Sequence, residues 1–232
     1  MQDTASLPDE AHFYNYVIYR YVFGSRAYGL DDANSDTDRR GIYLPPAELH
    51  WSLSAVPEQL DNKATEECYW EIQKFLTLVL KANPNVLEFL YTPLVEMATP
   101  LAEELLSMRG FFLSQLVYQT YNGYVMSQFK KLEQDLRKKG VIKLKNAMHL
   151  IRILLSGITV LKKGVVTVRV EENREQLLAI RYGQMPWEEV NAWRLSLHQE
   201  VEAVFTRTTL PQRPDYEKVN AFLLKSLFPK NY

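Results

Sequence analysis

The stretch VFGSRAYGLDDANSDTDRRGIYL, residues 22–44, constrains the fold of this chain more than any other feature. An apolar run rich in aromatic and β-branched residues ends at Gly24 and Ser25, and a second apolar run follows two carboxylates, Asp36 and Asp38. Glycine, asparagine, aspartate and serine between the runs are typical of a turn and a loop. The stretch therefore predicts two strands that carry a glycine turn and a carboxylate pair close together in the chain.

The two carboxylates are spaced for one face of a strand. Residues two apart on a strand point the same way, so Asp36, Asp38 and Arg40 are predicted to lie in a row. Carboxylates side by side repel each other unless a cation lies between them, and Mg²⁺ prefers carboxylate and phosphate oxygens. Two such ions about 3.5–4 Å apart can hold the attacking and leaving oxygens of a nucleotidyl transfer. A divalent-metal site is one interpretation, and a solvated acidic loop is the other.

The Gly-Ser pair supplies a second kind of binding group. Glycine lets the backbone approach a ligand closely, and a helical turn after it directs N–H groups outward, as phosphate binding requires. The Ser25 hydroxyl can donate a hydrogen bond, and Arg26 is near enough in the chain for a phosphate contact. Residues 24–38 thus offer a triphosphate cradle and a metal pair in one piece of chain.

Composition excludes several other kinds of site. The formal net charge is -1, so no overall basic field marks a nucleic-acid-binding protein, although local basic clusters can still bind phosphates. Cys68 is the single cysteine, which excludes an intrachain disulfide and a cysteine-based zinc cluster and fits a reducing, cytoplasmic setting. The N-terminal residues lack the basic and apolar segments of a signal peptide, and no apolar run reaches the roughly 20 residues of a membrane helix. We expect a cytoplasmic protein with no membrane partner.

The secondary-structure signals change along the chain. Residues 12–24 are predicted to form a strand, or a short helix that runs into one. Further strands are predicted at 37–46 and 65–70, a loop at 55–65, and a short β-like run at 165–170. Helices are predicted at 69–82, at 102–139 with a break at RGFF, at 145–164 and at 186–205. Strand and helix signals are mixed over the first 95 residues, and helix signals dominate after them. This change predicts an α/β (α+β) core with a small mixed sheet over residues 1–95 and a mainly helical domain over 96–232.

These motifs resemble the nucleotidyltransferase superfamily related to DNA polymerase beta. More closely, GSRAYGL and SDTDRRGIYLPP are similar to predicted nucleotidyltransferases associated with RNA repair, as are the segments WEIQKFLTLVLKANPNVLEFLYTP, KNAMHLIRILLSGITVLKKG and REQLLAIRYG. The resemblance covers the chain from about Tyr21 to about Pro214. It implies that residues 1–95 form the catalytic domain and that residues 96–232 form a helical domain that closes the nucleotide cleft.

The resemblance also implies roles for particular residues. The Gly-Ser pair would bind the triphosphate, and Asp36 and Asp38 would hold Mg²⁺ or Mn²⁺. A third carboxylate is expected on the strand before EIQKFL, where Glu66 matches best. Glu67 adjoins it, and only one of two neighbours on a strand can face the site. Members of the superfamily commonly carry aspartate at this position. The glutamate therefore leaves open the alternative that the protein is a non-catalytic nucleotide-binding module.

Two basic segments lie in the helical half. Lys145, His149 and Arg152 fall at i, i+4 and i+7 on one face of a predicted helix; they either close over the triphosphate, as the resemblance supports, or form a solvated polar face. The lysines and the arginine within 128–140 either contact RNA phosphates or form an exposed helix face. The predicted nucleotide-binding residues are Gly24, Ser25, Arg26, Arg40, Lys145, His149 and Arg152.

The predicted reaction is transfer of a nucleoside monophosphate from a nucleoside triphosphate to a hydroxyl, with release of pyrophosphate. Catalysis would rest on positioning and charge neutralisation, with Asp36, Asp38 and Glu66 as the catalytic and metal-binding residues. The resemblance favours an RNA 3′ end as the acceptor. The alternatives are a protein hydroxyl, as in modification of a toxin partner, a small molecule such as an antibiotic, and the non-catalytic module.

Overall fold

Five strands form one mixed sheet in the computed structural model, which describes residues 10–53 and 55–228. The strands are β1 (Val17–Phe23), β2 (Asp38–Tyr43), β3 (Gln59–Asn62), β4 (Glu67–Glu71) and β5 (Val95–Ala98). They lie in the order β3-β4-β2-β1-β5; β2 and β4 are parallel, and the other neighbours are antiparallel. The sheet confirms the predicted α+β core, and the helices that follow it confirm the mainly helical remainder.

The sequences of β1 and β2 explain why these strands pack at the centre of the sheet. β1 reads VIYRYVF, whose β-branched and aromatic side chains suit a pleated surface, and Tyr19 and Tyr21 are buried in the main core. In β2, a Cβ added to Gly41 would lie 2.0 Å from the carbonyl oxygen of Tyr19 and 2.7 Å from the ring of Tyr69. The glycine of RRGIYL is therefore required by the close approach of its neighbours.

Short helices connect the strands, and longer helices make up the C-terminal part. The short helices are α1 (Glu10–Phe13), α2 (Ser25–Tyr28), α3 (Ala47–His50), α4 (Ile72–Leu80) and α5 (Pro84–Leu87). After β5 come α6 (Pro100–Ser107), α7 (Leu116–Lys139), α8 (Leu144–Lys163), α9 (Arg174–Arg181), α10 (Trp187–Phe205) and α11 (Tyr216–Leu227). Gly140 and Gly164, both in the left-handed conformation, end α7 and α8. Local sequence thus determines where these two long helices stop.

Helix α8 is the centre of the helical part. It packs against α7, α9 and α10, and its apolar side chains join the core that also includes the sheet and α4. By length and composition alone α8 is apolar enough to cross a membrane, but 67% of that segment is buried inside the fold. This burial is that of a core helix.

Three segments differ from the sequence-based expectations. Residues 165–170 form no strand. Val166 and Val168 are buried and the residues beside them are exposed up to Arg169, which imitates the period of a strand, but the segment pairs with none of the strands that the structure describes. The predicted loop 55–65 contains β3, a short edge strand in which only Leu60 is buried, too little for a strand pattern. Through β5 the sheet continues to Ala98, past the predicted end of the first domain, and the division into two domains stays a prediction.

Two further expectations concern chain interruptions and the N-terminus. The predicted break within 102–139 is confirmed, because α6 ends at Ser107, a 3₁₀ turn covers Arg109–Phe112 and α7 begins at Leu116. The expectation that no signal peptide is present concerns residues 1–13, of which residues 1–9 lie outside the described residues.

Candidate functional site

The Gly-Ser turn follows directly after β1. Gly24 has a φ of 78° and a ψ of -151°, a combination that is essentially restricted to glycine. It leads into α2, which starts at Ser25 and is followed by Gly29 in the left-handed conformation. A Cβ on Gly24 would lie 3.0 Å from Oδ2 of Asp38. The turn therefore brings its backbone directly beside that carboxylate.

The two aspartates belong to different kinds of structure. Asp38 is the first residue of β2, whereas Asp36 lies before the strand, so the predicted row of Asp36, Asp38 and Arg40 on one strand is wrong for Asp36. The reason is that Arg26 binds the loop backbone: its guanidinium donates to the carbonyl oxygens of Asp36 at 3.2 Å and of Ser35 at 2.6 Å. Both carboxylates nevertheless line the same cavity.

A cavity of about 520 Å³ lies between the β1–α2–β2 segment and helices α7 and α8. One wall includes Gly24, Ser25, Asn34, Ser35, Asp36 and Asp38. The opposite wall includes Tyr124, Gln128, Lys131, Asp135, Lys143, Lys145, Asn146 and His149, and Arg181 of α9 also reaches the cavity. The volume suits a small-molecule ligand. A wall with two carboxylates thus faces a wall with three lysines and one carboxylate, Asp135, which pairs with Lys139.

The structure brings together predicted site residues from distant parts of the sequence. Those that line the cavity are Gly24, Ser25, Asp36, Asp38, Lys145 and His149. Those that lie outside its lining are Arg26, Arg40, Glu66 and Arg152. The lining residues therefore join the Gly-Ser and aspartate motifs to the predicted basic face of the helical half.

The expected third carboxylate is not part of the lining. Glu66 precedes β4 with a φ of 54° and is exposed, and its carbonyl oxygen accepts hydrogen bonds from the Arg39 N–H at 3.0 Å and the Arg40 guanidinium at 3.3 Å. Glu67 pairs with Arg39 in the β2–β4 register, so it shares the face of Arg39, away from Asp38. Within the described part of the chain, no three Asp, Glu, His or Cys side chains are grouped so that they could hold a metal ion. Of the two glutamates, Glu66 stays the candidate.

Arg152 has a buried partner of its own. Its guanidinium forms a bidentate ion pair with Glu88, with N–O distances of 2.6 and 3.1 Å, and both side chains are 1% exposed. The same group lies over the ring of Tyr28, 3.6 Å from the ring centre. A buried guanidinium requires a carboxylate partner, and here Glu88 supplies it. The structure therefore does not bring Arg152 to the ligand cavity but uses it to join α8 to the core beneath α2.

His149 lines the cavity as a neutral side chain. Burial, followed by the charges of Arg152 and Lys145, lowers its pKa to about 3. Its Nδ1 lies 3.3 Å from a guanidinium nitrogen of Arg152, and because arginine can only donate, Nδ1 must accept. The proton is therefore assigned to Nε2, which donates to Oδ1 of Asn85 at 3.3 Å. His149 therefore adds no charge to the cavity, and both of its ring nitrogens are already engaged by protein groups.

Helix α9 holds the loop that leads to the aspartates, a role that is not among the sequence-based predictions. Arg174 donates from Nε to the Gly29 carbonyl at 2.8 Å. Arg181 donates to the Leu30 carbonyl and, at 2.6 Å, to Oδ2 of Asp32. The two arginines, which we call the α9 clamp, stand seven residues apart in REQLLAIR and so share one helix face. This spacing could have predicted that the two arginines share a helix face, but not that they bind the loop before Asp36.

Asp32 connects the α9 clamp to the cavity. Its Oδ2 also accepts from the Tyr182 hydroxyl at 3.1 Å, and its Oδ1 accepts from the Asn34 N–H at 3.0 Å and the Ser35 hydroxyl at 3.2 Å. The Asn34 N–H, followed by the Tyr182 hydroxyl, lowers the pKa of Asp32 below its usual range. Since Asn34 and Ser35 line the cavity just before Asp36, Asp32 positions the loop that carries this aspartate.

A glycine turn lies directly beside one carboxylate, and a second carboxylate lines the same cavity, which is the arrangement that the resemblance of the motifs led us to expect. The chain belongs to the RNA repair pathway DNA polymerase beta family (RlaP), whose model matches residues 5–225, and this confirms the resemblance seen in the motifs. It is also similar to the uncharacterized protein YcgL of Bacillus subtilis (strain 168), with 29% identity over 156 residues. That match covers 65% of this chain and 58% of YcgL, so the chain spans less than two thirds of this relative's length.

Proposed function

We propose that the protein is a cytoplasmic nucleotidyltransferase that uses Mg²⁺ or Mn²⁺ and transfers a nucleoside monophosphate from a nucleoside triphosphate to the 3′ hydroxyl of an RNA. The observation that carries the proposal is the approach of Gly24 to Asp38, at 3.0 Å between a Cβ position and Oδ2. It brings a turn suited to phosphate next to a carboxylate suited to a metal ion, inside one cavity. Membership of an RNA repair family supports RNA as the acceptor.

The two aspartates fit a divalent cation. The Asp36 carboxylate has no side-chain partner among residues 10–53 and 55–228, and that of Asp38 has one long contact, to the Arg40 guanidinium at 3.4 Å. Carboxylates with so few side-chain partners can coordinate Mg²⁺, whose other ligands are usually substrate phosphates and water. Asp36 and Asp38 would therefore hold the ion, which when bound neutralises charge on the phosphates.

The helical wall supplies positive charge for the triphosphate. Lys131, Lys143 and Lys145 line the cavity and form no ion pair with any carboxylate that the structure describes. Lysine binds phosphate as a compact point charge, so three lysines opposite the aspartates suit a polyphosphate that carries a metal ion. We assign Ser25 to a phosphate as a hydroxyl donor, and His149 to the cavity wall as a neutral side chain that Asn85 and Arg152 hold in place.

The proposed reaction follows from a triphosphate held between the two walls. The acceptor oxygen forms a bond to the α-phosphorus, and the bond from that phosphorus to the oxygen bridging to the β-phosphate breaks. Pyrophosphate leaves with the bonding electron pair, and the proton of the acceptor hydroxyl is released to solvent. The protein contributes mainly by orienting the reactants and by neutralising charge.

The test is label transfer from each α-labelled nucleoside triphosphate to total RNA, and in parallel to lysate protein, with Mg²⁺ or Mn²⁺. The double variant Asp36→Asn/Asp38→Asn is compared with Asp31→Asn, an aspartate of the same loop that lies outside the cavity lining. We expect label in RNA for the wild type and for Asp31→Asn, and none for the double variant. Label only in protein contradicts the RNA acceptor and supports a protein hydroxyl.

One observation favours a second candidate, a non-catalytic nucleotide-binding module. No third carboxylate of the described residues is grouped with Asp36 and Asp38 so that the three could hold a metal ion: Glu66 lies outside the cavity lining, and Asp135 of the lining pairs with Lys139. For this candidate we expect nucleoside triphosphate binding by calorimetry, lost in Asp36→Asn/Asp38→Asn, without pyrophosphate release on any acceptor. Pyrophosphate release by the wild type excludes it.

A further inference from the structure

The helical hairpin at residues 128–145, formed by the end of α7, the turn after it and the start of α8, carries a charge unlike that of the rest of the chain. Residues 128–145 contain seven lysine or arginine residues and two acidic ones, in a chain whose formal net charge is -1. Both acidic groups already have partners: Asp135 pairs with Lys139 at 2.7 Å, and Glu133 lies 3.8 Å from Arg194. The hairpin is therefore a concentrated positive region with its own carboxylates largely neutralised.

The other cations of the hairpin are exposed and unpaired. They are Lys130, Lys131, Arg137, Lys138, Lys143 and Lys145, and none of them forms an ion pair within the part of the chain that the structure describes. Exposed like charges this close repel each other, which costs stability unless a polyanion neutralises them. The arrangement thus fits an anionic partner better than it fits the protein alone.

The positive region is continuous with the cavity. Lys131 lines the cavity, and Lys138 stands seven residues later, about 10 Å along α7 on nearly the same face. Lys130 and Arg137 have the same spacing on the adjacent stripe of the helix. We call Lys130, Arg137 and Lys138, which do not line the cavity, the hairpin surface. It leads outward from the place where the proposed reaction occurs.

We propose that the hairpin surface binds the phosphate backbone of a single-stranded RNA whose 3′ end enters the cavity. This inference rests on the proposed function and adds the path of the acceptor. A backbone with one charge per nucleotide matches a row of cations that starts at the cavity, because each phosphate neutralised releases bound counterions. A membrane surface is less suited, since Val141 is the one large apolar side chain that the hairpin exposes prominently.

The test is the salt dependence of RNA binding, measured on the whole chain by fluorescence anisotropy with a labelled single-stranded RNA. The variant Lys130→Gln/Arg137→Gln/Lys138→Gln removes the hairpin surface. The control Lys63→Gln/Lys81→Gln/Arg213→Gln removes the same number and types of exposed cations from other segments. For single strands each phosphate contact contributes about 0.7 to the slope of log K against log salt, so we expect the slope to fall by about 2 in the first variant.

We further expect the dissociation constant for RNA at about 50 mM salt to rise at least tenfold in the hairpin variant and to stay near the wild-type value in the control. Nucleoside triphosphate affinity, measured by calorimetry, stays unchanged in both, since none of these residues lines the cavity. An unchanged slope in the hairpin variant overturns the proposal, as do equal losses in the two variants. Wild-type binding that is tighter to an acidic peptide or to phosphatidylcholine–phosphatidylserine vesicles than to RNA also overturns it.

The outcomes separate this proposal from the proposed function. RNA binding through the hairpin surface without label transfer supports the surface and contradicts the enzyme. Label transfer to RNA that is equally efficient in the hairpin variant supports the enzyme and overturns the path proposed for its acceptor.

Discussion

The backbone at Gly24 adopts a conformation that side chains exclude, and this makes the residue a sensitive test of the cavity. We expect Gly24→Ala to lower the free energy of unfolding by about 1–3 kcal/mol, because its φ and ψ lie in a region almost restricted to glycine. The new Cβ would also lie 3.0 Å from Oδ2 of Asp38 and so weaken nucleoside triphosphate binding. Urea unfolding and calorimetry measure the two effects.

Gly123→Ala is the matched control for this substitution. Gly123 lies inside α7 with nothing within 4 Å of an added Cβ, so alanine there should raise the free energy of unfolding by about 0.5–1 kcal/mol. Changes of opposite sign in the free energy of unfolding for the two substitutions support the argument that the backbone conformation of Gly24 excludes side chains. A loss at Gly123 as large as that at Gly24 would contradict it.

His149 gives the stability of the folded chain a dependence on pH. Burial lowers its pKa from an ordinary 6.5 to about 3, so between these values the unfolded chain binds a proton that the folded chain does not. Its contribution to stability is therefore fully present above about pH 6.5 and is lost as the pH falls toward 3. We expect His149→Gln to flatten the decrease in unfolding free energy over this range. Parallel curves for the variant and the wild type would show that His149 does not titrate in this way.

At the scale of elements, the α9 clamp orders the loop before Asp36 through Asp32. The substitution Asp32→Asn keeps the size of the side chain but removes the charge that Arg181 and Tyr182 bind. We expect faster amide hydrogen exchange at Asn34, whose N–H bonds to Asp32, and a loss of about tenfold or more in Mn²⁺ affinity.

Asp31→Asn is the control for the clamp, because Asp31 precedes Asp32 directly and its only ion pair in the described residues is with Arg26 at 4.0 Å. It should leave both the exchange rate at Asn34 and the Mn²⁺ affinity near their wild-type values. Unchanged exchange in Asp32→Asn would mean that the loop is ordered without the clamp.

Elements with local signals were predictable from the sequence, and elements that depend on distant partners were not. The Gly-Ser turn, α2 and the start of β2 follow from glycine, aspartate and β-branched residues close together in the chain. By contrast, Arg174 reaches a carbonyl 145 positions away, and no local pattern indicates that partner. The spacing of Lys145, His149 and Arg152 likewise indicates neighbouring positions on a helix, but not that Glu88, 64 residues away, takes the arginine.

At the scale of the whole molecule, one hydrophobic core joins the sheet to the helices. It includes Tyr21 of β1, Ile151 of α8 and Phe222 of α11, so it crosses the predicted boundary between residues 95 and 96. The buried pair of Arg152 and Glu88 crosses the same boundary. The ligand cavity lies where these two parts meet, and its shape therefore depends on both of them being folded.

We expect a single cooperative unfolding transition for the intact chain, because neither part can expose its share of a common core without destabilising the other. Calorimetry should give equal calorimetric and van 't Hoff enthalpies, and far-UV circular dichroism and tryptophan fluorescence should give coincident curves. Trp70 lies in β4 and Trp193 in α10, so the fluorescence reports on both parts. Residues 1–95 expressed alone should stay unfolded, because they lack β5 beyond Val95 and the helices that cover the sheet. Two resolved transitions, or a folded fragment, would instead establish that the sheet and the helical part are independent domains that enclose the cavity only by docking.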